Sequence, residues 1–64
     1  MITYFYEYKG DERKILLRRK YNGSEGLFYY RQAVIIKGVL YRVNSSIVDV
    51  TNNEVWVELI KLSE

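Results

Sequence analysis

The sequence predicts an all-β domain: five or six short antiparallel strands bent into a small barrel of SH3-like or OB-like type. Three observations carry that expectation. Apolar residues recur with period two rather than 3.6, turn-forming clusters interrupt them at short intervals, and ten aromatic residues with many Val and Ile fill the stretches between. A chain of 64 residues has room for one domain, residues 1–64, with one small core. Short antiparallel strands joined by tight turns bury themselves most economically by closing into a barrel.

The first strand, "ITYFYEY" at residues 2–8, places Ile2, Tyr4, Tyr6 and Tyr8 on one side and Thr3, Phe5 and Glu7 on the other. "KGDE" at 9–12 is a turn. A hairpin closed there with Tyr6 opposite Ile15, Tyr4 opposite Leu17 and Glu7 opposite Lys14 gathers Ile2, Tyr4, Tyr6, Ile15 and Leu17 into one apolar layer. It leaves Phe5 on the other face, beside Leu16 and among Lys14, Arg18 and Lys20. "YNGSEG" at 21–26 is a polar loop.

"LFYYRQAVII" at 27–36 does not alternate. Its aromatic and β-branched content favours strand over a helix capped by Ser24 and stopped at Gly38. Lys37-Gly38 is a tight turn feeding a strand through Val43, and "NSS" at 44–46 is a further turn. "IVDVTNNEVWVEL" at 47–59 is the clearest hairpin, with Asn52-Asn53 as a type I′ turn. It sets Val48, Val50, Val55, Val57 and Leu59 on one face and Ile47, Asp49, Trp56 and Glu58 on the other.

Composition closes several function classes. There is no Cys, His or Pro, so thiolate and imidazole metal sites are excluded, and the commonest general base and nucleophile are missing. No phosphate-binding glycine motif follows a strand, and Asp11-Glu12 falls in a turn. No catalysis, cofactor or metal is therefore expected. The longest apolar runs have four residues, far short of the roughly 20 that span a bilayer. With no basic leader or cleavage site before the first strand, the expectation is a soluble cytoplasmic protein without membrane association.

Net charge is only +2, but residues 1–42 carry nine Lys or Arg against four acids while residues 43–64 carry Lys61 against four acids. The basic hairpin is one candidate surface. Lys14, Arg18 and Lys20, separated by even numbers of residues and so expected on one face, form a stripe about 20 Å long. With Phe5 and Leu16 interleaved, it suits nucleic acid, phosphates meeting cations and bases stacking on the ring. The competing use of such cations is to keep an edge strand soluble and unpaired. Trp56, flanked by Asp49 and Glu58, is the other candidate, of the kind that anchors protein partners.

"YEYKGDERK" at 6–14 resembles the first hairpin of the small basic chromatin proteins of thermophilic archaea, which implies an SH3-like barrel and binding to double-stranded DNA. Beyond that hairpin the chain departs, being poorer in Lys and ending in an acidic β-hairpin instead of a helix. Two functions follow as expectations. The first is a non-enzymatic binding module whose basic hairpin engages an anionic partner, nucleic acid first among them. The second is a protein-interaction module, such as a small inhibitor or accessory subunit of the phage or mobile-element kind, using Trp56 and an open sheet edge. A homodimer is also expected, because the aromatic content exceeds what one small core encloses.

Overall fold

The structure, a computed structural model, describes residues 1–22 and 27–62. Five strands follow one another: β1 (Ile2–Lys9), β2 (Glu12–Lys20), β3 (Ala33–Ile36), β4 (Val39–Asp49) and β5 (Glu54–Lys61). They form one sheet in the order β2-β1-β5-β4-β3, curled into a half-barrel whose outer strands, β2 and β3, do not pair with each other. The all-β expectation holds, with five strands. One pairing is not antiparallel: β1 and β5 run parallel at the centre, Tyr4 opposite Trp56 and Phe5 opposite Val57. Of the strand expected over 27–36 only Ala33–Ile36 forms, residues 27–32 being a loop that leads into it, and the helix alternative for residues 25–36 does not form over the described residues.

Turn chemistry follows from residue type. Gly10 supplies the positive φ of the β1–β2 turn, and Lys37 and Gly38 are both at positive φ, the signature of a type I′ hairpin. The β4–β5 connection differs from expectation. Only Asn53 takes a positive φ, and β4 and β5 pair Asp49 with Glu54 and Val48 with Val55, leaving Val50–Asn53 as the loop. Asp49 holds it, accepting bonds from the Asn52 backbone N–H at 3.1 Å and from Asn52 Nδ2 at 2.9 Å. Those bonds lower the Asp49 pKa. Val50 is thereby displaced from the core face to the turn, where it is 86% exposed.

Two one-residue bulges shape the sheet. On β2, Tyr6 pairs with Ile15 as expected, but Phe5 pairs with Leu17 and Tyr4 with Arg18, so Leu16 is the extra residue. On β4, Val43 pairs with Leu59 and Ser45 with Glu58, so Asn44 is extra. The expected turn at "NSS" is in fact this bulge inside a continuous strand. Bulges bend and twist the strand that carries them. Here they lie on the two strands flanking the β1–β5 pair, and the sheet curls around that pair.

The inner face collects Phe5, Ile36, Tyr41, Val43, Val55, Val57 and Leu59. Phe28, from the segment between β2 and β3, lies edge-on to Phe5 at 5.0 Å, and Leu16, Leu17, Val34 and Val39 pack around the cluster. Thr3 is also fully buried here, its hydroxyl without a hydrogen-bond partner among the described residues. Among the described residues no helix is long and apolar enough to cross a membrane.

Candidate interaction site on the outer face

The β2 bulge redistributes the residues expected to bind nucleic acid. Phe5 is a core residue, 3% exposed, because it pairs with Leu17 on the inner face. Leu16 is half-buried against the same core. Lys14 pairs with Glu7 and shares the side of Phe5 and Leu17, whereas Arg18 and Lys20, opposite Tyr4 and Ile2, lie on the outer side. The expected stripe is therefore divided between two faces, since one inserted residue inverts the alternation of everything after it. The Arg18 guanidinium instead lies over Tyr4, its carbon 6.0 Å from the ring centre.

Of the tyrosines expected in the core, Tyr6 is buried and Tyr4 half-buried, but both lie on the outer side of the sheet, apart from the inner cluster. Parallel pairing brings Tyr4 beside Trp56, and their rings stack at 4.3 Å between centroids and 13° between planes. Tyr6 meets Trp56 at 6.0 Å and 65°, and Tyr8 meets Tyr6 edge-on at 5.6 Å. Arg13, opposite Tyr8, extends over this surface with its guanidinium carbon 4.6 Å from the Tyr6 ring centre and 4.9 Å from that of Trp56. A planar, weakly hydrated cation over aromatic faces is attracted by their quadrupoles and covers apolar area at the same time. A hydrogen bond with Tyr8 raises the Arg13 pKa further above its already high ordinary value.

The acidic residues around Trp56 are tied to neutral donors. The Trp56 Nε1–H donates to Glu54 Oε1 at 3.2 Å, and the Tyr4 hydroxyl lies 3.5 Å from Glu54 Oε2. Asn44 Nδ2 and the Ser45 hydroxyl donate to the two Glu58 oxygens at 3.4 and 3.2 Å. The bulge residue Asn44 thus has a role, in reaching Glu58. Tyr6 is buried, and desolvation, reinforced by the nearby Glu58 carboxylate, raises its pKa.

Beside this cluster an open groove of about 410 Å3 is lined by Tyr6, Arg13, Trp56, Ile47, Val48, Asp49 and Val50. Trp56 is half-buried, and Ile47, Val48 and Val50 are exposed. Of the residues singled out in the sequence, Trp56 and Asp49 line the groove, while Glu58 supports the cluster through Asn44 and Ser45. Arg13, Tyr6, Ile47, Val48 and Val50 were not among them. Arg13 was within reach, because it precedes the bulge and pairs with Tyr8 in the expected register. Tyr4 against Trp56 was not, because it depends on a parallel contact between the two ends of the sequence.

Among the described residues no group of His, Cys, Asp or Glu side chains converges to hold a metal ion. Compared with family models, curated proteins and solved structures, the chain matches none.

Proposed function

We propose that this chain is a non-enzymatic protein-interaction module, and that the outer-face groove beside Trp56 receives an apolar side chain from a segment of its protein partner. The observation that carries the reading is the juxtaposition of a half-buried Trp, Tyr6 and Arg13 with the exposed side chains of Ile47, Val48 and Val50 around one groove. Trp, Tyr and Arg are the residue types most enriched where binding energy concentrates, and a cluster already packed loses little conformational freedom on binding. Arg13 lies at the lip, so a carboxylate next to the inserted apolar residue would be favoured. The nucleic-acid reading loses its main support, because Phe5 is buried and Lys14 faces away from Arg18 and Lys20.

The test is affinity capture from the native host with wild-type protein, the double variant Ile47→Lys/Val50→Lys, and the double variant Arg18→Gln/Lys20→Gln. All substituted side chains are exposed. The reading expects a protein captured by wild type and by the Arg18/Lys20 variant, and lost with the groove variant by at least about thirtyfold in affinity. Nucleic acid recovered in a salt-sensitive manner, and lost with the Arg18/Lys20 variant alone, would overturn it.

A further inference from the structure

The two edges of the half-barrel differ in kind. β2 carries six charged residues in nine, five of them cations, whereas β3 is "AVII" with none. Charged side chains along an edge discourage pairing with another sheet, and an uncharged edge offers its free backbone groups. On β3 those groups can be assigned. The Val43 N–H donates to the Gln32 carbonyl at 2.8 Å, and Ile36 pairs with Val39 across the two-residue turn. Because backbone groups of a strand alternate in direction, Val34 and Ile36 bond toward β4 while Ala33 and Ile35 point their N–H and C=O groups outward.

We propose that β3 pairs antiparallel with β3 of a second copy of this chain across a two-fold axis, joining two half-barrels into one continuous sheet. An axis normal to the sheet keeps the faces in register, so each residue meets one of the same parity. Ala33 opposite Ile35 of the second copy satisfies this, and both outward-pointing residues then exchange both backbone hydrogen bonds. Val34 meets its own equivalent on the inner side. On the outer side Ile35, 71% exposed, already lies in a row with exposed Leu40 and Leu62, because Ile35 pairs with Leu40 and the Leu62 N–H donates to the Leu40 carbonyl. Pairing adds the Ala33 and Ile35 side chains of the second copy to that row. A second copy is the occupant that fits, since β3 itself carries no charge, and Arg31 and Lys37, which this register sets opposite each other at the two ends, both lie outside β3 at positive φ, where the chain leaves the strand. Docking on β2 would bring the Ile35 side chain among cations. The arrangement closes on itself, and it does not rest on the groove beside Trp56.

The experiment is sedimentation equilibrium up to high micromolar concentration, with amide hydrogen exchange read residue by residue at low and high concentration. Wild type should dimerise, and the Ala33 and Ile35 amides should exchange more slowly as concentration rises. Ile35→Lys substitutes an exposed residue and should keep the monomer fold, while weakening association at least about tenfold. Val50→Lys, at the groove, should leave association unchanged. A monomer at every concentration, a dimer indifferent to Ile35→Lys, or a dimer lost in Val50→Lys would each overturn the proposal.

Discussion

The N-terminal hairpin β1–β2 and the C-terminal hairpin β4–β5 each carry one extra residue, yet the two bulges have different consequences. In β4 the extra residue is Asn44, polar and bonded to Glu58, and the inner-face residues of β5 remain Val55, Val57 and Leu59, as alternation predicts. In β2 the extra residue is Leu16, between two other apolar residues. Beyond it every partner of β1 moves by one position. That shift accompanies Phe5 in the core and leaves Tyr4 outside against Trp56. Both bulges shift the register beyond them by one position, but the one inside an apolar run also decides which of its own strand's apolar residues faces the core, putting Leu17 beside Phe5.

The largest expected effect sharpens the equivalence of the two inner faces. Val57→Asp places an unpaired carboxylate in a fully buried site, at a cost of several kcal/mol. That is comparable to the whole stability of so small a domain, so loss of dispersion in an amide NMR spectrum is the expected outcome. Phe5→Ala should cost about 3–5 kcal/mol by removing a buried ring that also packs on Phe28. Urea unfolding measures it. A cost below 1 kcal/mol would mean that the ring lies outside the core.

Deleting each bulge residue separates their roles. Without Leu16, Ile15 and Leu17 become neighbours and β2 can pair with β1 in regular alternation with every observed partner kept. The fold should survive with a loss of about 1–2 kcal/mol from the missing half-buried side chain. Without Asn44, β4 likewise pairs regularly with β5, and the loss should be nearer 1 kcal/mol, one hydrogen bond to Glu58. Chemical denaturation of the two deletion variants checks the ranking. A deletion of Leu16 that unfolds the protein would show that the bend at the bulge is itself required.

A smaller effect concerns alkaline pH. The Tyr6 hydroxyl titrates above its ordinary value of 10.0 in the folded state, chiefly through desolvation, so the folded protein holds this proton where the unfolded chain releases it. The corresponding stability is complete below pH 10.0 and is lost as pH rises through the folded-state value. Tyr6→Phe should therefore flatten the alkaline decline in denaturation midpoint. An unchanged decline would assign it to other groups.

These contrasts also explain what was legible in the sequence. The turns at Gly10 and at Lys37-Gly38 were, because positive φ selects its residues. So were the inner face of β5 and the first half of the β1–β2 register, where alternation is unbroken. The Leu16 bulge was not, because Ile15-Leu16-Leu17 is apolar on either reading and alternation has nothing to count. The four-residue loop after Asp49 was missed because Asn52-Asn53 satisfies turn chemistry in either register, and the Asp49 side chain decides between them. Parallel pairing of β1 with β5 joins the N-terminal hairpin to the rest of the sheet, a long-range contact that no local pattern encodes. Of the candidate site, Trp56 and Asp49 were legible by residue type. Their neighbours required that pairing.

The most direct test of the β1–β2 assignment is a set of backbone cross-strand NOEs in the wild-type protein. The predicted result is Tyr6 opposite Ile15, Phe5 opposite Leu17 and Tyr4 opposite Arg18, with the Phe5 ring in contact with Phe28 and the Tyr4 ring in contact with Trp56. Tyr4 opposite Leu17, with the Phe5 ring against Lys14 and Arg18, would contradict it and return Phe5 to the binding surface.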